Sequence, residues 1–585
     1  MFINLKKVRF DWMFWAVVVF FWGGLFILNS NGEVLPTINN LPETRKINEV
    51  PLVPSPPEPN EESIVENFFN PETAGEPAAD TFKFLLEEVR ITGNTYFTTE
   101  ELLEVIQDFL QQEVSLADLE RLAATLSQYY QTRGWWARAI VPAQDIQNGS
   151  VQIEIIESQM GEIIIAEEER AQSISPKLIE LFTRYNLPLN QILNINTLSE
   201  NMTRLDALPG IQASAVLQAG GQKGQTDVLL NIIHQPEWKF ATQYDNYGSR
   251  SSGYMRLSNY LDLLGYLGQG ETIAVQQIHT TGSDYERIAA TFPMAPEGHQ
   301  TIFSYNQLEY DLGKPNTNEA TGKSSQWQAQ WVQQLQSVAG ADLSLTLGLS
   351  KAFYLNDINT GNSSDKDITK TDVTLNFNRP DDVMGGGITY GSVSLTAGDL
   401  NLLRNLSDYN TDQAQAKTHG TYQKINFTLN RIQTLAPQWQ LNLKSQGQWA
   451  LKNLDGAERF SLGGAYGVRA YPNSEATGDD GVLAQIELEH ALTAQSQLKI
   501  FYDVGLISQY KSYWANWDRS NPGVDKIYLL QGAGLGWNYT IDQSSSFNVT
   551  YAFTLGSNPG EDSSGKDNDG TNHNQRLWFT FQKRF

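Results

Sequence analysis

The sequence predicts a β-dominated membrane protein: a sixteen-stranded transmembrane antiparallel β-barrel over residues 237–585, preceded by two small α+β modules of order β-α-α-β-β. Three observations predict it. Residues 342–350 place Leu343, Leu345, Leu347 and Leu349 on one face and Ser344, Thr346, Gly348 and Ser350 on the other, the period of two that a strand imposes. Such alternation, repeated strand after strand, suits lipid outside and water inside. The joins alternate between long connections rich in Gly, Asn and Asp and short ones, as in outer-membrane barrels, whose long loops face the cell exterior. Residues 83–159 and 160–236, finally, each run strand, helix, helix, strand, strand.

Composition agrees. The chain has 585 residues, 40% of them hydrophobic, and a mean hydropathy of −0.37. A helical membrane protein needs apolar runs of about 20 residues, and none occurs beyond residue 30. A barrel needs only alternate residues to meet lipid. The net charge of −25 opposes a nucleic-acid binder, whose footprint is a basic patch. With no cysteine, disulfides and thiolate metal sites are excluded.

The elements follow in order. Lys6, Lys7 and Arg9 precede the uncharged apolar run 12–28, the pattern of a secretory signal peptide over residues 1–30; an uncleaved inner-membrane anchor is the alternative. Pro51, Pro54, Pro56, Pro57 and Pro59 with Glu61, Glu62 and Glu66 make residues 31–82 a Pro/Glu-rich linker. In the first module, 83–159, strand 88–92 turns at Gly93-Asn94. Thr98 and Glu101 form a capping box, and Leu102, Leu103, Ile106 and Leu110 give the helix its stripe. A second helix carries Leu119, Leu122 and Leu126 and stops at Gly134. Strands 136–141 and 151–156 close the unit across Asn148-Gly149. The second module, 160–236, repeats this with strand 162–165, helices 175–185 and 198–205, and strands 211–217 and 228–233.

In the barrel, strands are expected to begin near 238, 253, 271, 284, 299, 324, 342, 369, 385, 419, 437, 480, 496, 527, 545 and 576. Long connections are expected at 312–323, 354–368, 397–418, 452–479, 511–526 and 558–575. The last strand sets Leu577, Phe579, Phe581 and Phe585 on one face and is expected to close against the first near Trp238. A soluble propeller is the alternative, but no blade-length repeat occurs.

Several motifs, in this order, resemble one family. They are Arg133-Gly134, Ala137-Arg138-Ala139, Pro142-Ala143-Gln144-Asp145 and Gly149; then Asp206 to Gly210 and Gly224 to Asp227; then Asp245 to Ser249 with Gly253 and Arg256, and the turn from Gly265 to Glu271. With Gly463, Gly464, Val468, Arg469, Ala470 and Tyr471, they are similar to the TpsB transporters of two-partner secretion, the ShlB/FhaC/HecB type that exports haemolysins and filamentous haemagglutinins. The resemblance covers residues 83–585. It implies two periplasmic POTRA domains and a sixteen-stranded barrel, within a wider outer-membrane assembly superfamily. It also implies that Arg469, on the sixth long loop folded into the lumen, contacts an Asp on the thirteenth barrel strand. Ala470 stands where the family carries Gly, so a position needing positive φ would be strained here. The family's N-terminal plug helix has no convincing counterpart in residues 31–80.

Alternation supplies the acid independently. Ile500, Tyr502 and Val504 share the lipid face, so Asp503, followed by Gly505, points into the lumen with Lys499. A guanidinium grips a carboxylate through paired hydrogen bonds. A solvated loop arginine is the alternative, and Glu487 and Glu489 also face inward. The six histidines show no metal-ligand or triad pattern, and no G-x-x-x-x-G-K-[ST] is present; no enzyme, metal or cofactor is expected. The acidic run 561–570 lacks EF-hand spacing.

The expected function is an outer-membrane transporter of a two-partner (type Vb) secretion system, with its POTRA domains in the periplasm of a Gram-negative-type bacterium. It would capture an unfolded exoprotein, bearing an N-terminal secretion domain, by β-augmentation. The candidate edges are 211–217, with Ile211, Val216 and Leu217, and 151–156, with Val151 and Ile153. Further expected partners are outer-membrane lipids and lipopolysaccharide, and the barrel assembly machinery during biogenesis. A barrel-assembly factor and a passive porin are the alternatives.

Overall fold

A computed structural model describes Val65–Glu66 and residues 83–585, apart from 166–173, 189–190, 313–319, 359–361 and 519–521. The expected signal peptide lies outside the described residues, as does the linker but for Val65–Glu66.

The first module comprises β1 (Glu88–Thr92), α1 (Thr99–Val105), α2 (Leu116–Gln131), β2 (Ala137–Ile140) and β3 (Ser150–Glu157). α1 starts because Thr98 and Glu101 cap each other, Thr98 N donating to the Glu101 carboxylate at 2.9 Å. Ser115 and Asp118 do the same for α2, at 2.9 Å. Leu102, Ile106, Leu119, Leu122 and Leu126 pack on Val151, Ile153 and Ile155. β3 is the middle strand, parallel to β1 and antiparallel to β2. The expected docking edge at Val151 and Ile153 is therefore corrected. Val151 and Ile153 pair with Val89 and Ile91 of β1, the Gln144 side chain occupies the Gln152 backbone between them, β2 covers Glu154 to Glu157, and both side chains are wholly buried.

The second module comprises β4 (Gln159–Ile165), α3 (Pro176–Thr183), α4 (Ile195–Asp206), β5 (Ile211–Ala219) and β6 (Gln225–His234). β6 is central, between β4 and β5. Ile211 and Leu217 point into the core, whereas Val216 lies on the opposite, half-buried face. The outer edge of β5 is met at Ala215 and Val216 by Val65–Glu66, which pairs in parallel.

This module sits on the periplasmic turns. Gly210 and Gly265, both at positive φ, approach so closely that a Cβ on either would lie under 3 Å from the other's Cα. His234 Nε2 is 2.7 Å from the Gly265 carbonyl, Ser175 N donates to the Gly268 carbonyl at 3.0 Å, and Tyr185 Oη donates to Glu297 at 2.6 Å. The Glu271 carboxylate holds the turn by accepting from Leu267 N (2.6 Å) and Gln269 N (3.0 Å). Two motifs of the sequence pattern thus form one joint.

The closed barrel has sixteen antiparallel strands. They are β7 (Glu237–Asp245), β8 (Arg256–Leu264), β9 (Thr272–His279), β10 (Ser283–Ala295), β11 (His299–Leu312), β12 (Ala320–Val338), β13 (Ala341–Ile358) and β14 (Asn362–Asp381). The remainder are β15 (Gly387–Asn401), β16 (Gly420–Ala436), β17 (Trp439–Ala450), β18 (Asp480–Ala491), β19 (Ser496–Ser508), β20 (Ile527–Asp542), β21 (Ser545–Thr554) and β22 (Gln575–Arg584). Outward side chains such as Leu349, Trp327 and Leu535 are exposed, while inward Ser350, Gln326 and Asn376 are buried.

Two expectations need correction. The connection expected at 354–368 is mostly strand, since β13 runs to Ile358 and β14 starts at Asn362, with Asp357 facing Ser363. Polar residues such as Asn356, Asp357 and Asp365 sit within a backbone ladder that continues, so polarity misplaces the strand ends. The seam also closes at 241–245 rather than at Trp238: Ala241 to Asp245 pair with Arg584 to Thr580. Trp238 lies below the paired stretch because β22 ends at Arg584, and only Phe585 N reaches past it, to the Phe240 carbonyl at 2.8 Å. This seam has five pairs, against seventeen between β13 and β14.

Candidate functional site

Residues 451–479, between β17 and β18, fold inward as an irregular hairpin. Phe460–Ser461 pairs with Thr477–Gly478, and Val468 N donates to the Leu462 carbonyl at 2.8 Å. The sequence allows this reversal because Gly463 and Gly464 stand where side chains cannot. A Cβ at Gly463 would sit 2.2 Å from the Pro472 carbonyl oxygen, and Gly464 has φ +111°. Leu462, Val468, Ala470 and Tyr471 are buried against Phe501, Tyr528 and Leu530.

The wall is dented to receive them. A Cβ at Gly505 on β19 would strike Leu462, at 2.5 Å, and one at Gly532 on β20 would strike the Ala470 methyl, at 2.7 Å. The strain anticipated at Ala470 does not arise, since it is absent from the positive-φ residues. Its methyl fits over a wall glycine that sequence reasoning had not connected to it.

Arg469 lies between β18 and β19 and is 5% exposed. Its Nε and backbone N donate to Asp503 Oδ2 at 2.8 and 3.0 Å, and Nη2 donates to Oδ1 at 2.6 Å. Nη1 donates to Glu487, and the Phe501 ring lies 3.5 Å from the guanidinium carbon, a cation–π contact. Gln485 Nε2 completes the pocket, donating to the Gly467 carbonyl at 2.9 Å and to Asp503 at 3.3 Å. Burial alone would lower the pKa of Arg469, but Asp503 and then Glu487 reverse this and raise it. The arginine is a fixed cation held by two acids. Glu489 stands apart, accepting from Gln497 Nε2 at 2.8 Å.

The same loop touches both strands of the seam. Trp578 Nε1 on β22 donates to the Arg469 carbonyl at 2.7 Å. Asn473 Nδ2 donates to the Tyr247 and Gly248 carbonyls, just past β7, at 2.6 and 3.2 Å. Tyr247 is seated by Asp245, whose carboxylate accepts from Tyr247 N (2.8 Å), Gln243 Nε2 (2.7 Å), Arg256 Nε (2.8 Å) and Arg256 Nη2 (3.2 Å). The Tyr247 ring meets Tyr466 and Trp578 edge-on, at 5.4 and 5.8 Å. Asp245 and Arg256 had been noted only as part of a resemblance; their strand-to-strand ion pair is fully buried.

Two more attachments escaped the sequence reading. Glu475, on the returning limb, accepts from Asn558 Nδ2 at 3.0 Å and Asn568 N at 2.8 Å. On the descending limb, Asp455 and Glu458 meet lysines of β14 and β16. Pairing acids and amines from such distant positions leaves no local signal. The acidic run 561–570 turns back on the barrel: Asp567 and Asp569 each lie 3.1 Å from Arg576.

Comparison with known proteins places this geometry. The family described as haemolysin secretion/activation protein ShlB/FhaC/HecB matches residues 224–539, and the POTRA domain, ShlB-type, matches residues 84–158. The chain is 26% identical over 495 residues to the heme/hemopexin transporter protein HuxB of Haemophilus influenzae, covering 81% of this chain and 84% of that one. It is 23% identical over 422 residues to the outer membrane transporter CdiB of Dickeya dadantii, covering 69% and 72%. Among solved structures, CdiB from Escherichia coli superposes with a TM-score of 0.56 at 16% identity, covering 88% of this chain and 93% of that one. BamA from Haemophilus ducreyi lacking POTRA domains 1–3 gives 0.55 at 14% identity, covering 86% and 100%. These two structures share the fold.

Proposed function

The chain belongs to the haemolysin secretion/activation protein ShlB/FhaC/HecB family, and from that premise we propose that it captures one unfolded exoprotein in the periplasm and passes it through the barrel lumen as the folded-in loop gives way. It is an outer-membrane transporter of a two-partner secretion system, with its POTRA domains in the periplasm, and acts with a secreted exoprotein. The family consists of transporters, and we assign this chain no catalytic step.

The observation that carries the lumen path is the Arg469 site. A loop that fills the lumen through side-chain contacts, outside the barrel's hydrogen-bond ladder, can leave without unpairing a strand. Water entering with the cargo would solvate Arg469, Asp503 and Glu487 and lower the cost of separating them, since buried charges are expensive chiefly when unpaired and dry. Capture is assigned to the edge of β5, where the exoprotein strand would take the place that Val65–Glu66 of this chain holds beside Ala215 and Val216; main-chain hydrogen bonds would supply affinity and alternate side chains specificity. The cargo would bear an N-terminal secretion domain. Its folding outside the cell would draw the chain outward.

The outward faces of the strands meet membrane lipid and, in the outer leaflet, lipopolysaccharide. The terminal strand with Phe579, Phe581 and Phe585 would be the segment read by the barrel assembly machinery. Deleting the gene tests the assignment. One exoprotein should vanish from the medium and accumulate in the periplasm. A general depletion of outer-membrane barrels would instead identify an assembly factor, and unchanged export with reduced solute uptake a porin.

A further inference from the structure

The descending limb of the loop begins with a second buried charge cluster, opposite in sign to the one at its tip. Asp455 opens a single turn, Gly456–Glu458, by accepting from Ala457 N at 2.9 Å. Lys366 Nζ donates to both Asp455 oxygens, at 2.9 and 2.8 Å. Three residues on, Glu458 is 1% exposed. Lys370 Nζ lies 3.0 Å from one of its oxygens and Lys424 Nζ 2.7 Å from the other. Its backbone carbonyl accepts from Lys424 Nζ at 3.0 Å and from Gln448 Nε2 at 2.9 Å. The loop's base is therefore tied to β14, β16 and β17, while its tip is tied to β18, β19 and β22.

The ladder of β14 to β17 is made of backbone pairs in which these carboxylates take no part. Burying an acid and two amines costs more than burying apolar residues of the same volume. Burial would raise the pKa of the Glu458 carboxyl, but Lys370 and then Lys424 hold it well below the usual range. One wall region is built as an anion receptor for the base, another as a cation receptor for the tip. A loop that left the lumen whole would have to empty both. A loop that swings would empty only one. The base is held at one spot: six contacts from three lysines and Gln448 converge on Asp455 and Glu458 within one turn of chain.

We propose that Glu458, with Lys370 and Lys424, is a positioning site for secretion: it keeps the base of the loop on the wall, so that the tip carrying Arg469 swings out of the lumen about a fixed hinge. This rests on the reading that cargo passes through the lumen. The native chain has no cysteine, so single thiols report cleanly. In cells carrying Ala457→Cys or Ala470→Cys, both sites buried at rest, a membrane-impermeant maleimide is added from outside with and without active export. The position-470 thiol should become labelled at least tenfold faster during export, and the position-457 thiol should stay protected. Equal acceleration at both positions, or none at 470 while exoprotein reaches the medium, would overturn the hinge. Absence of exoprotein from the medium in the unsubstituted strain would instead reject the secretion reading, since export is scored in the same cultures.

A second arm uses Glu458→Met/Lys370→Met/Lys424→Met in the full chain, which removes all three charges together and leaves none unpaired. Folding is checked by heat-modifiable gel mobility, and single-channel conductance is recorded in planar bilayers. Folded protein with an unsteady, raised resting conductance and at least tenfold less export supports the hinge. Conductance and export equal to the parent, or loss of the folded barrel itself, assigns the cluster to structure alone and overturns it.

Discussion

The tip and the base of one loop are held by opposite logic. At the tip a cation on the loop enters an acidic wall; at the base an acid on the loop enters a basic wall. The tip uses a planar guanidinium whose Nε and Nη2 meet the two oxygens of Asp503, a fork that fixes direction as well as distance. The base uses ammonium groups, which act as point charges and accept many approach angles. The difference teaches that the loop is registered at its tip and merely retained at its base.

Breaking the tip should have the largest effect. Arg469→Ala strands Asp503 and Glu487 without their shared cation, a loss on the order of 3–5 kcal/mol for a buried pair. Export should fall at least tenfold while heat-modifiable mobility shows the barrel still inserted; normal export would strip the site of functional weight. Replacement by the other cation sharpens the comparison. Arg469→Lys should rescue little, whereas Lys424→Arg should export within about twofold of the parent, given the tolerance of point-charge sites. If both exchanges behave alike, the distinction between tip and base fails.

A smaller effect is expected at the seam. Trp578→Phe removes the indole donor to the Arg469 carbonyl, worth about 1 kcal/mol. It should raise resting conductance in bilayer recordings while export falls less than with Arg469→Ala. The smallest effect is a pH dependence on the returning limb, outside the strands that cross the membrane. Burial, with Asp567 and Asp569 nearby, raises the Glu475 pKa to about 7, against the pull of Asn558 and Asn568. The folded state therefore favours the protonated form. The contribution is full below the ordinary carboxylate range and is lost as pH rises through about 7. Proteolysis of the contacting loop, residues 555–574, should be faster at pH 8 than at pH 6, and Glu475→Gln should flatten that difference. Equal rates in the native protein at both pH values would count against the shift.

The sequence reading reached some parts of this site and missed others for identifiable reasons. Asp503 was legible because alternation around Ile500 and Tyr502 turns it inward, and Arg469 because its motif is local. That Glu487 shares the arginine was not legible, since Glu489 has the same inward register and only the depth of the loop tip separates them. Lys370 and Lys424 carry no local signal of their partner, being 88 and 34 residues from Glu458. Likewise β3 and β5 alternate alike in sequence, yet β3 is central because β1 pairs beside it, and no local pattern announces that partner.

By itself the sequence determined the membrane address, the sixteen strands, the two preceding modules and the inward face of strands such as those around Ser344 and Asp503. All of these follow from periods of two or 3.6 residues and from turns, which act between neighbours along the chain. The tertiary structure alone decided which strand of each module is central, how short the seam is, and which charges the loop meets. Those depend on the order of strands within each module, on the closure of the barrel and on how far one loop descends, none of which acts between neighbours along the chain.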